Sequence, residues 1–154
     1  MRLTSMTDYA MRLLVYLGQH QDRLCTIAEV AGAYGVSEAH MMKITHQLGL
    51  AGWIATLRGK GGGMRLARAP HDISLGAVVR SIEPDFFVVE CFATGSTCLL
   101  TGHCKLTGIV EDALRSFLQH LDSHTLADIL PTAPGPAAAH VVRRHPPPVR
   151  GRLA

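Results

Sequence analysis

No run in this chain approaches the roughly 18 to 20 uninterrupted apolar residues that a membrane-spanning helix requires, and the opening Met1-Arg2-Leu3-Thr4-Ser5 lacks a secretory hydrophobic region. A cytoplasmic chain with no membrane partner is therefore expected. Catalytic equipment is missing too: there is no paired acid and base, no Ser/His/Asp set and no cofactor loop. An enzyme is not expected, and an enzyme or electron-transfer protein stands only as a remote alternative. No internal repeat is found. Cysteine is scarce, four in 154 residues, and in a reducing compartment such cysteines are metal ligands or redox thiols rather than structural disulfides.

What is present is 47% hydrophobic residues, enough for a core, in a length that suits one compact domain with an appendage. The net charge of +3 hides a segregation. Residues 1–70 carry eight Lys/Arg against four Asp/Glu, residues 71–130 three against eight, and residues 131–154 four Arg and no acid. A basic first half suits a polyanionic partner, whereas an acidic second half suits sensing or dimerisation.

Apolar periodicity then divides the chain. Met6, Ala10, Leu13, Leu14 and Leu17 form one face of a helix over residues 4 to about 20. Thr26 and Glu29 have capping-box spacing and open a second helix, which runs to about Tyr34. Gly35 supplies a tight turn and Ser37 caps a third helix to about Leu48, with Met41, Ile44 and Leu48 inward and Glu38, Met42, Lys43 and His46 outward. Helix, short Gly-containing turn and helix have helix-turn-helix spacing. Residues 53–57 and 64–67 read as two strands joined by the Gly-rich turn 58–63, a wing that carries Arg58, Lys60, Arg65 and Arg68 without an acid. Ser74 opens a short helix to Ile82, and Pro84 ends it before a loop over residues 85–102. In the long helix that follows, Leu106, Ile109, Val110, Ala113, Leu114, Phe117 and Leu121 keep one apolar stripe, longer than a small core covers, which points to a homodimer. Six of the eight prolines lie from Pro131 onward. The expected class is mainly α with a small β-hairpin: a winged helix-turn-helix in residues 1–70, a cluster-binding loop and dimerisation helix in 71–130, and a disordered Pro/Ala/Arg tail in 131–154.

Two constellations carry chemistry. A recognition helix fits the major groove of double-stranded DNA, so Ser37, Glu38, His40 and Lys43, with His46 and Gln47 beyond them, are candidates to reach base edges. Arg58, Lys60 and Arg65 would neutralise phosphate or enter the minor groove. A plain three-helix packing motif explains the helices but not the basic Gly-rich hairpin beside them. A Walker-type nucleotide loop is excluded because Gly-Lys is not followed by Ser/Thr and a helix.

The second constellation is Cys91, Cys98 and Cys104, spaced C-x6-C-x5-C in a loop. Thiolates bind iron or zinc, but zinc sites pinch one ion between C-x2-4-C pairs, so the wider spacing fits an iron–sulfur cluster. A fourth ligand must come from elsewhere, with His103, Asp8, Asp85 and Glu90 as candidates. Small buried cysteines would be the alternative, yet Thr94, Gly95, Ser96, Thr97 and Gly102 make the loop polar. Cys25, among Leu24, Thr26 and Ile27, is expected to be a buried spectator. His120 and His124, an i,i+4 pair at a helix end, are read as solvated.

From residue 1 to about 130 the chain resembles the iron–sulfur cluster-containing winged-helix regulators, and within them the nitric-oxide-sensing NsrR-type repressors. The likeness rests on Leu3-Thr4-Ser5-Met6-Thr7-Asp8-Tyr9-Ala10, Tyr34-Gly35-Val36-Ser37, His40-Met41-Met42-Lys43-Ile44, Arg58-Gly59-Lys60-Gly61-Gly62-Gly63, Val89-Glu90-Cys91-Phe92 and Thr125-Leu126-Ala127-Asp128. The resemblance implies a homodimer with one cluster per subunit, [2Fe-2S] or [4Fe-4S], on the three loop cysteines. It makes Asp8 of the partner subunit the fourth ligand and implies a repressor whose cluster, on nitrosylation, releases DNA. The sister group that senses cluster supply, the IscR-type regulators, has a histidine where this chain has Thr107. A redox or iron-supply sensor of the same fold is the alternative function. Glu38 is acidic where a base would favour phosphate or guanine, so operator sequence does not carry over.

Overall fold

The computed structural model of the protein describes residues 2–92, 95 and 104–131; Cys98, His103 and the chain from 132 onward lie outside the described residues. Helix α1, Ser5–Gln19, starts where the Thr4 hydroxyl accepts a hydrogen bond from the Thr7 amide, and buries Ala10, Leu13, Leu14 and Leu17. Helix α2, Ile27–Tyr34, opens with both halves of the Thr26/Glu29 capping box and ends on Gly35 at φ 64°, a left-handed conformation that glycine adopts without steric cost. Helix α3, Glu38–Leu50, is capped by Ser37, whose side chain accepts from the His40 amide, and it buries Met41, Ile44, Thr45 and Leu48. It runs two residues further than its apolar periodicity indicates.

Strands β1, Ile54–Leu57, and β2, Gly63–Leu66, pair antiparallel with Ile54 opposite Leu66 and Leu57 opposite Gly63. Gly62 is required at the turn because a Cβ there would stand 2.2 Å from the Leu57 carbonyl oxygen. The segment between α1 and α2 adds a one-residue bridge to the hairpin, as Cys25 and Met64 exchange backbone hydrogen bonds of 3.0 and 2.8 Å. Cys25 is fully buried in that bridge, and burial pushes its thiol pKa up. It is thus the packed residue expected from its neighbours. Trp53 closes the base of the hairpin: its indole N–H donates to Ser81 Oγ at 2.9 Å and the Arg68 guanidinium lies over its ring at 5.0 Å.

Helix α4, Leu75–Ile82, capped by Ser74, sends Val78, Val79 and Ile82 inward. Helix α5, Lys105–Asp122, follows the cysteine loop, and a four-residue helix α6, Leu126–Ile129, returns to the first half. There Leu126 is fully buried, its amide donates to Ile73 O at 2.8 Å, and Leu130 packs where a Cβ on Gly18 would meet it at 2.7 Å. Helix α1 is the central strut, touching α3, α4, α6 and β2. The apolar stripe of α5 differs from that of every other long helix: none of its residues is buried, and Leu106 and Ile109 are 59% and 65% exposed. A short 3-10 turn, Pro70–Asp72, and α6 are elements that periodicity did not reveal.

Candidate DNA-binding surface and cysteine site

The candidate recognition helix and the basic hairpin share the first half of the fold, since α3 packs against β1. Arg58, Lys60 and Arg65 on the hairpin are all exposed, as are Glu38 and Lys43 on α3. Ser37 is exposed too, although its hydroxyl is committed to capping α3, receiving the His40 amide at 3.3 Å. Met42 and Leu50 of α3 and Leu57 of β1 are also exposed, so this surface is partly apolar. His40 is placed differently from its neighbours. Its ring stands edge-on to Tyr9 of α1, with centroids 5.6 Å apart, and its Nε2 is buried without a hydrogen-bond partner. Lying four residues before inward Ile44, His40 sits on the flank of the buried stripe, and it joins the recognition helix to α1.

Asp8 occupies the first turn of α1, one residue before Tyr9. Its carboxylate is exposed and pairs with Arg12 at 2.9 Å, one turn on, while the Arg12 guanidinium also lies over the Tyr9 ring at 5.3 Å. Of the other oxygen candidates, Asp85 is used locally, its carboxylate accepting the Phe87 amide at 3.0 Å. Glu90 is exposed in the 3-10 turn Glu90–Phe92 that carries Cys91. A contact that sequence gave no means of finding ties the same region to α1: Glu83 Oε1, just past α4, accepts from the Thr4 amide at 2.7 Å and from the Thr4 hydroxyl at 3.2 Å. The two residues are 79 positions apart, so no local signal announces the pair.

Cys91 and Cys104 come from different elements. Cys91 lies in the 3-10 turn and Cys104 is the N-cap residue of α5. Both reach the same residue, Thr107. Cys91 Sγ stands 3.6 Å from Thr107 Oγ1. The Cys104 side chain makes no close capping hydrogen bond, yet the Thr107 amide, the Thr107 hydroxyl and the Leu106 amide all face it and hold its pKa below the ordinary thiol value. Two thiols near a helix N-terminus, one with its pKa lowered, form a donor set suited to iron. Among the described residues no three His, Cys, Asp or Glu side chains stand together as a metal site; Cys98 and His103 are not among them. Cys25, bridged to β2 in the other half, belongs to no such group.

A family model described as "Rrf2: Iron-dependent Transcriptional regulator" matches residues 3–132. The chain belongs to the Rrf2 family. Two curated relatives, each named HTH-type transcriptional regulator NsrR, are similar over 132 residues: that of Geobacillus kaustophilus is 46% identical and that of Halalkalibacterium halodurans 45%. Each match covers 84% of this chain and 90% of the relative. Among solved structures, IscR of T. potens is similar with a TM-score of 0.66 and 26% identity, over 83% of this chain and 85% of that one.

This Rrf2 protein is accordingly a DNA-binding transcriptional regulator with a winged helix-turn-helix, and not an enzyme. Among its described residues no helix is long and apolar enough to cross a membrane. The one participant of the cysteine site that sequence reasoning used only as a negative is Thr107. The signal was available, because the third residue of a helix faces the side chain of its N-cap, and Cys104 with Thr107 has that spacing.

Proposed function

We propose that this Rrf2 protein is a cytoplasmic homodimeric repressor that holds an iron–sulfur cluster in each subunit and releases its operator in response to nitric oxide. The observation that carries the reading is the placement of Cys91 3.6 Å from the hydroxyl of Thr107, the third residue of the helix that Cys104 opens, in a chain 46% identical to a relative named NsrR. Cys91, Cys98 and Cys104 would supply three thiolates, and Asp8 of the partner subunit the fourth ligand. A bound cluster supplies iron that a small diatomic molecule can reach where the ligand is a carboxylate rather than a thiolate.

The rest is work for the protein's own side chains. Asp8 sits on α1, and α1 packs directly on α3 through Tyr9 and His40. An anchor on Asp8 therefore fixes α1, and through it the angle at which Ser37, Glu38 and Lys43 are offered to base edges, with Arg58, Lys60 and Arg65 of the hairpin on the phosphates. A released Asp8 has Arg12 as a ready partner one turn away. Glu83 links the start of α1 to the end of α4, near the entrance of the cysteine loop, so α1 is held from the sensing half within one subunit as well.

The test is the iron and sulfide content of anaerobically purified protein. Cys91→Ala, Cys98→Ala and Cys104→Ala are each expected to lose the cluster and its visible absorption, while Cys25→Ala keeps both. A colourless wild-type protein containing zinc would overturn the reading.

A further inference from the structure

We propose that Thr107 is a positioning residue of the cysteine site, its hydroxyl gathering Cys91 and Cys104 before any cluster is present and hydrogen-bonding the ligand sulfur afterwards. The inference rests on the cluster reading above. Its basis is geometric: Cys91 belongs to a 3-10 turn and Cys104 to the start of α5, and among the described residues no backbone hydrogen bond joins the two turns. What they share is one residue. Thr107 Oγ1 is 3.6 Å from Cys91 Sγ, and Thr107 is the third residue of the helix whose N-cap is Cys104. A hydroxyl has one proton to donate and two lone pairs to accept, so it can receive the Cys91 S–H while donating to Cys104, a division that a methyl group cannot reproduce.

The position suits the role. Thr107 is the third residue of α5, on the turn that faces the N-cap side chain. Its branched Cβ restricts the hydroxyl to few rotamers, and the residue is partly buried. A hydroxyl held in this way offsets the entropy of bringing two thiols together. With iron bound, the same O–H is left as a donor to ligand sulfur, an outer contact of the kind that tunes metal affinity and cluster potential.

Two substitutions separate the hydroxyl from the shape of the side chain. Thr107→Val keeps the branched outline and removes the hydroxyl; Thr107→Ser keeps the hydroxyl and removes the methyl. In metal-free protein carrying Cys98→Ala, a monosubstituted trivalent organoarsenical, which condenses with two adjacent thiols, is expected to bind the Thr107→Val form about tenfold more weakly, with Thr107→Ser restoring the affinity. In full-length cluster-loaded protein, Thr107→Val is expected to lose iron to a chelator on the order of tenfold faster, within the range seen for outer-shell metal contacts, and to shift the visible bands and reduction potential, again with rescue by serine. Arsenical affinity, chelation rate and spectrum all unchanged in Thr107→Val would overturn the proposal while leaving a coloured wild-type protein in place. A colourless wild-type protein would overturn the cluster reading, and the metal-free arm would still decide whether Thr107 gathers the two thiols.

Discussion

Glu29 makes three attachments with one carboxylate. It completes the capping box of α2, pairs with Arg23, and accepts the Tyr16 hydroxyl at 2.7 Å. The Arg23 guanidinium, helped by the Tyr16 hydroxyl and the Thr26 amide, lowers its pKa from the ordinary 4.5 to about 2. A carboxyl depressed in the folded state contributes stability that is complete above its unfolded value and is lost as pH falls toward the folded one. Thermal unfolding followed between pH 4.5 and 2 should therefore show a steeper fall in wild type than in Glu29→Gln, which has no proton to gain; parallel curves would contradict the assignment. At pH 7 the same substitution should lower stability by at most about 1 kcal/mol, the usual value of a partly exposed ion pair, because Gln can still reach back to the Thr26 amide. Single residues also mark the limit of sequence reasoning at the site. His40 is polar and near the start of α3, which makes it a base-reading candidate by type, but its spacing from Ile44 turns the ring toward Tyr9.

Elements with strong local signals were legible in the sequence. Helices α1 to α4 each begin at a Ser or Thr cap that the chain displays openly, and the hairpin follows from its glycines and flanking apolar residues. Elements held by distant contacts were not. Helix α6 has four residues, too few for a period, and exists because Leu126 enters the core and the Ser74–Thr125 bridge fixes its start. The tie of Glu83 to Thr4 was invisible for the same reason. Helix α5 was legible as a helix and as an uncovered stripe, but not in which part is uncovered. Phe117 is partly buried beside Leu3 and Phe86, whereas Leu106 and Ile109 stand in the open. Burying a side chain of this size is worth roughly 1.5 to 3 kcal/mol, counted once from each subunit in a two-fold interface. Ile109→Asp should consequently weaken the proposed dimer by several kcal/mol in sedimentation and leave the monomer's helical circular dichroism intact. A dimer of wild-type affinity would place the interface elsewhere.

Across the whole molecule, charge follows function. The basic first half contains the recognition helix and wing, the acidic second half the cysteine loop and α5, so the proposed dimer through α5 would keep its repelling half away from the phosphates and turn two recognition helices to one face of the duplex. The proposed signal has to cross from one half to the other, and α1 is the element placed to carry it, with Asp8 at one end of the route and His40 against its side. A coupling of about 3 kcal/mol along that route would change operator affinity by roughly 150-fold, within reach of a single ligand gained or lost. The most direct measurement is an anaerobic nitric oxide titration in which operator binding and the visible spectrum are followed in the same sample. The account predicts that affinity falls by about two orders of magnitude in step with the change in the cluster bands. Operator binding that stays at its starting affinity while those bands disappear would contradict it.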